Sequence, residues 1–202
     1  MMFRMFITTG KCLLKTNLYK RIEFRTALSP SFFGGKMMIA INKVTDSTEL
    51  KEIAELAEKI WHECFTGIIT TEQINYMVEK YQSYKAMTMQ IAEQNYSYYS
   101  VRDDKELCGY FGVKPEEDSR FFLSKLYLYS DKRGKGIARK MLDRVLEEAK
   151  NAGKTTVYLT VNKHNSHAIS VYKKVGFKII DSPMTDIGNG FVMDDYVMEY
   201  KL

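Results

Sequence analysis

Phe121-Phe122-Leu123-Ser124-Lys125-Leu126-Tyr127-Leu128, followed after four residues by Arg133-Gly134-Lys135-Gly136-Ile137-Ala138, is the stretch on which the reading of this chain turns. The first segment is aromatic and branched, as a strand is. Beyond the second, Ile137, Met141, Leu142, Val145, Leu146 and Ala149 recur at helical spacing. Two glycines at a strand-to-helix junction let the backbone approach a ligand closely, and the unpaired N–H groups of a first helical turn favour an anion there. Arg133 and Lys135 add positive charge. The string also fits an ordinary basic turn. It is neither a P-loop, for want of Gly-x-x-x-x-Gly-Lys-Ser/Thr, nor the three-glycine dinucleotide fingerprint.

Downstream, Asn151-Ala152-Gly153 supplies a helix stop, and Thr155 to Val161 is a run of β-branched and aromatic residues that predicts a strand. Asn165 or Ser166 then caps a helix through Ala168, Ile169, Tyr172 and Val175; Gly176 ends it, and Phe177 to Ile180 returns as a strand. In this second half the chain resembles the GCN5-related N-acetyltransferases. Their cofactor motif, Gln/Arg-x-x-Gly-x-Gly/Ala, matches Arg133 to Ala138, and their second motif matches Asn165, Ala168, Tyr172 and Gly176-Phe177. Within the family, Trp61, the Ile74-to-Ser83 segment and the Asp186-to-Tyr196 ending are similar to the small bacterial polyamine-type enzymes.

The resemblance implies acetyl-CoA as co-substrate, with no metal. Its pyrophosphate would lie on the N–H groups of Arg133, Gly134, Lys135, Gly136, Ile137 and Ala138, and its pantetheine arm along Leu126, Tyr127 and Leu128, with Asn165 as a further polar contact. Tyr172 is then the catalytic candidate, a phenol that stabilises or protonates the departing thiolate; on spacing alone it would be a core tyrosine. The implied reaction is direct acetyl transfer to a primary amine: a polyamine, another small amine or a protein amino group. A regulatory module that binds acyl-CoA without turnover is the alternative. No general base is evident, because Ser124 and Lys125 stand where many relatives offer a glutamate, and Lys125 reads as a solvated or paired strand residue.

Upstream, Asp46-Ser47-Thr48-Glu49 has capping-box spacing, and Leu50, Ile53, Ala54, Ala57, Ile60, Trp61 and Cys64 form one helical face. Thr70 or Thr71 caps a second helix, Lys85 to Glu93 a further turn or two, and Tyr96 to Val101 with Leu107 to Val113 a hairpin about Asp103-Asp104. Two strands are expected to close the chain. The order predicts an α/β fold, a mixed and mostly antiparallel central sheet flanked by helices, over residues 38–202. Glu63, Asp186, Asp194 and Asp195, with Trp61 and Tyr98, are candidates to line a pocket for a cationic amine; alternatively Trp61 packs in the core and Asp194-Asp195 form a turn or bulge before the last strand.

The 202 residues, 45% hydrophobic and 27% charged, suit one ordinary folded domain without an apolar run long enough to span a bilayer. The net charge of +5 does not indicate nucleic acid, because residues 1–37 carry +6 and the remainder −1. That basic head has the composition of a transit peptide, and equally that of a start assigned too early; the second is preferred, with the fold beginning at Met38. Cys12, Cys64 and Cys108 are far apart and match no metal spacing, which suits a reducing cytoplasm. The expected partner is the amine substrate, with a homodimer left open and neither nucleic acid nor membrane.

Overall fold

The computed structural model describes residues 38–67 and 69–202, so the expected extension over residues 1–37 lies outside the described residues. The chain runs β1 (Ile39–Lys43), α1 (Ser47–Phe65), α2 (Thr71–Tyr81), α3 (Tyr84–Gln94), β2 (Ser97–Asp103), β3 (Glu106–Pro115) and β4 (Arg120–Leu128). A short 3-10 turn (Ser130–Lys132) leads to α4 (Ile137–Asn151), β5 (Thr156–Asn162), α5 (Ser166–Val175), β6 (Lys178–Asp181), β7 (Met184–Gly188) and β8 (Phe191–Lys201). Local chemistry sets the boundaries. Asp46 accepts from the N–H groups of Thr48 and Glu49, and Thr70 and Ser83 cap α2 and α3 in the same way. Gly176 closes α5 in the left-handed region at φ 117°.

The strands form one sheet in the order β1-β2-β3-β4-β5-β8-β6, with β7 paired to β8. All contacts are antiparallel except β4 with β5, so the expected mixed, mostly antiparallel sheet is present. Two layers cover it. On one face α4 and α5 bury Ile137, Met141, Leu142, Val145, Ala168 and Tyr172 against Leu123, Leu126 and Leu159. On the other, α1, α2 and α3 bury Ile53, Trp61, Met77 and Met87 against Tyr98, Tyr110 and Tyr127.

The ending differs from expectation in having three strands, not two, and Asp194-Asp195 lie inside β8, not in the turn or bulge before it that is one alternative for them. The turn falls instead at Gly188, Asn189 and Gly190, with φ of 88°, 57° and 76°, three successive left-handed residues that reverse the chain between β7 and β8. The register of β3 on β4 depends on a glycine as well. A Cβ on Gly109 would meet the Tyr127 carbonyl oxygen at 2.6 Å, a backbone atom unable to move aside. Gly109→Ala is therefore expected to lower the unfolding free energy by about 1–3 kcal/mol, measured by urea denaturation.

Candidate active site

Strands β4 and β5 pair only at Arg120–Thr156, Phe121–Val157 and Phe122–Tyr158, and then part. Beyond that point β5 is held on its far edge by β8 and β4 by β3, so the two facing edges are open to a ligand. At the fork β4 carries a bulge. Gly112 pairs with Lys125 and Val113 with Leu123, leaving Ser124 unmatched. Tyr129 donates its N–H to the Cys108 carbonyl on β3. Ladder alternation from there turns the backbone groups of Leu128 and Leu126 toward the gap, and those of Tyr127 toward β3. Of the three residues expected along the pantetheine arm, Leu126 and the Leu128 N–H therefore face the gap, the Leu128 carbonyl is taken by the Arg133 guanidinium, and Tyr127 turns to β3.

The loop closing this end of the gap has the form its glycines suggested. Gly134 and Gly136 are left-handed, at φ 73° and 79°, and open space surrounds the position where either Cβ would lie. Gly136 is the N-cap of α4 and no side chain caps that end, so the first N–H groups of the helix, from Ile137 and Ala138 onward, are presented outward. Arg133 stands apart from its neighbours. Its N–H goes to the Ser130 carbonyl, and its guanidinium reaches back to the Leu128 carbonyl at 3.1 Å and to Cys64 Sγ at 3.0 Å. It ties the loop to β4 and α1, while Gly134, Lys135 and Gly136 remain exposed.

On the far side of the gap, Asn165 caps α5 through Oδ1, which accepts from the Ala168 N–H at 3.2 Å, while its buried Nδ2 has no hydrogen-bond partner among the described residues. Tyr172 is wholly buried, its ring set edge-on against Phe177 at 5.7 Å, and its hydroxyl likewise lacks a hydrogen-bond partner among the described residues. A buried hydroxyl left this way is costly. Burial, with a smaller contribution from the nearby Tyr127 phenol on β4, pushes the Tyr172 phenol well above its usual value, so it keeps its proton.

Of the two sequence readings of Lys125, solvated or paired, the structure shows the paired one. It is not solvated: the side chain is 0% exposed, with Nζ 2.8 Å from Gln90 Oε1 and 5.0 and 5.2 Å from the ring centres of Tyr96 and Tyr98. The Tyr98 hydroxyl donates to the same Gln90 oxygen. Gly112 makes the room, since a Cβ there would lie 3.3 Å from the Tyr98 ring and 3.5 Å from Lys125 Cδ. A lysine inside an otherwise apolar strand run was the available signal.

The acidic candidates do not converge on a pocket. Glu63 accepts from the Ser130 hydroxyl, Asp186 from the Gly188 N–H, and Asp194 pairs with Lys163, whereas Asp195 is fully buried in β8. Trp61 is a core residue, stacked on Phe65 at 4.5 Å, and Tyr98 belongs to the Lys125 cluster.

Burial brings the Lys125 ammonium down to about 7 from the ordinary 10.5. The groups facing it include Gln90 from α3, Tyr98 from β2 and Tyr96 beside that strand, with Ser124 adjacent. Tyr96 is itself raised to about 12, mainly by burial, so it is neutral in the same range. Between about pH 7 and 10 the unfolded chain holds a proton on this lysine that the folded protein has released, so stability rises with pH across that window. Lys125→Met should flatten this slope, as read from denaturation midpoints at pH 6.5 and 9.

The acetyltransferase (GNAT) domain family matches residues 66–199. A spermidine N(1)-acetyltransferase of Thermoplasma acidophilum is 28% identical over 162 residues, 78% of this chain and 97% of that protein. An uncharacterised N-acetyltransferase of Mycobacterium bovis is also 28% identical, over 155 residues that cover 77% of this chain and 99% of the relative. Among solved structures, the PaiA N-acetyltransferase of Thermoplasma acidophilum in complex with coenzyme A superposes with a TM-score of 0.70 at 26% identity, covering 82% of this chain and all of that one. With the forked sheet and the glycine loop, these likenesses place the chain in the GCN5-related N-acetyltransferase family, as an acetyl-CoA-dependent acyltransferase.

Proposed function

We propose that the chain passes the acetyl group of acetyl-CoA directly to a primary amine within a ternary complex, with Tyr172 as the acid that protonates the departing sulfur. The observation that carries this is the Tyr172 hydroxyl, buried, protonated and lacking a hydrogen-bond partner among the described residues, on the helix that follows the fork. The donor fits the residues around it. The N–H groups of Gly134 to Ala138 would take the pyrophosphate, as the positive end of α4 favours. The main-chain groups of Leu126 and the Leu128 N–H would take the amide groups of the pantetheine arm, and the unused Asn165 Nδ2 would donate to one of its carbonyls. Arg133 would act behind this surface, fixing the loop through Leu128.

When the amine attacks the thioester carbonyl, the C–N bond forms and the C–S bond breaks. A phenol in a water-poor site delivers its proton to the sulfur as charge develops there. Neither Cys64 nor Cys108 is placed to carry the acetyl group: Cys64 is buried against Arg133, and Cys108 is buried on β3 with its thiol raised to about 11, chiefly by burial. Neither described cysteine thus supports an acyl-cysteine step. A polyamine leads the acceptors, because the Thermoplasma relative is a spermidine acetyltransferase. Other small amines and protein amino groups follow.

Thiol release from acetyl-CoA with a panel of polyamines, amino acids and lysine peptides should show one class preferred. Coenzyme A binding by calorimetry with no release from any amine would instead identify a binding module without turnover. Tyr172→Phe keeps the ring and removes the proton, so kcat should fall at least ~100-fold with coenzyme A affinity little changed. Unaltered turnover would remove Tyr172 from this role.

A further inference from the structure

Protonation of the sulfur by Tyr172 leaves the proton of the incoming ammonium still to be removed. An acceptor of ordinary basicity arrives as an ammonium, with a pKa near ~10, and must lose a proton before its lone pair can attack. We propose that Lys125 is that proton acceptor, its Nζ held by Gln90 at the bulge of β4 and acting on the acceptor nitrogen from the face of the thioester opposite Tyr172. This rests on the donor placement above. With the pyrophosphate at Gly134 to Ala138 and the arm running back along Leu128 and Leu126, the thioester end arrives at the Ser124–Lys125 bulge.

The two layers of the fold supply the opposition. Tyr172 enters from the α4 and α5 side, within the cluster of Leu126, Leu159 and Phe177. The Lys125 side chain goes to the other side, where its partners are Gln90 of α3, Tyr98 of β2 and Tyr96. A bulge places successive residues of one strand in altered orientation, which is a common way of re-aiming a side chain beside a reacting centre. Gln90 Oε1 accepts from both Lys125 and Tyr98, so it positions Nζ at the bulge, and a neutral amine can donate to that oxygen without using its lone pair. Its burial supplies that neutral form near pH 7, while Tyr96 and Tyr98 remain uncharged phenols.

The protons balance. Neutral Lys125 takes one from the acceptor ammonium, and the freed lone pair forms the C–N bond as the C–S bond breaks. The sulfur takes the Tyr172 proton, the new amide nitrogen returns its surplus proton to the Tyr172 phenolate, and Lys125 releases its proton to solvent. One ammonium and one thioester thus give one amide, one thiol and one proton.

The test is the pH dependence of kcat/KM with the best acceptor of the amine panel, beside trifluoroethylamine, which is already largely neutral at assay pH. Wild-type activity on the basic amine should rise with pH and level above about 7, while the acceptor is still cationic. Lys125→Met, with its fold verified by circular dichroism, should lose ~10²–10⁴-fold at pH 7.5 and keep rising toward the acceptor's own pKa. With trifluoroethylamine the loss should shrink below ~10-fold, because no ammonium proton has to be removed. Equal losses with both amines, or a wild-type rate that falls as pH rises through 7, would overturn the assignment in favour of a structural or cationic role. Nζ-detected NMR of wild-type protein is a second check, free of any folding defect: Lys125 titrating near ~10, the usual lysine value, would also overturn it. Failure of the wild type to release thiol with any amine, despite binding coenzyme A, is a different result, which removes the transferase reading itself.

Discussion

The rest of this structure depends on the point at which β4 and β5 stop pairing. Three parallel pairs, from Arg120–Thr156 to Phe122–Tyr158, hold the strands together, and past them each is supported only from its outer side. Sheet backbone with open N–H and C=O groups between two apolar layers is costly unless something polar enters. The fork is therefore where the proposed placement of the acetyl-CoA arm rests. The covering elements agree with it: α4 starts at one mouth with its first N–H groups uncapped, and α5 brings Asn165 and Tyr172 to the flank.

The polar groups around the fork fall into two kinds. One kind is consumed in holding the frame. Arg133 spans Leu128 and Cys64, and Ile187, between α2 and the β7–β8 turn, accepts from Tyr76, Lys80 and Tyr81 through a single carbonyl. The other kind is buried with capacity left over, as at Tyr172 Oη and Asn165 Nδ2. Burial acts on the ionisable members in one direction, favouring the neutral form. It lifts Tyr172 and Tyr98 above the usual phenol range and lowers Lys125. An acid that holds its proton and an amine that gives its proton up are thus produced by the same desolvation, on opposite faces of one strand pair.

Much of this was legible from residue order. The strand at Phe121 to Leu128, the helix after Gly136, the Asn165 cap and the Gly176 terminator appear where their side-chain chemistry placed them, since each is decided within a few neighbouring residues. The extra strand β7 was not, because Met184 to Gly188 is short and only the left-handed run Gly188 to Gly190 defines its turn. Glu63, Asp186, Asp194 and Asp195 do not gather with Trp61 into one amine pocket, for a related reason. Residue type suggests affinity for a cation, but whether the side chains meet depends on which layer each one enters.

The sequence by itself determined the family and the donor. Two motifs in fixed order dictate a glycine loop ahead of an uncapped helix, and a tyrosine two turns after a capping asparagine. Those are local matters of φ, capping and helical period. Only the tertiary structure decided what Arg133 and Lys125 do. Arg133 turns inward because Leu128 and Cys64 lie behind the loop, and Lys125 is driven toward neutrality because it is buried at a bulge beside Gly112, Gln90, Tyr96 and Tyr98. Charge and proton affinity follow from surroundings contributed by distant parts of the chain, and no short stretch of sequence contains them.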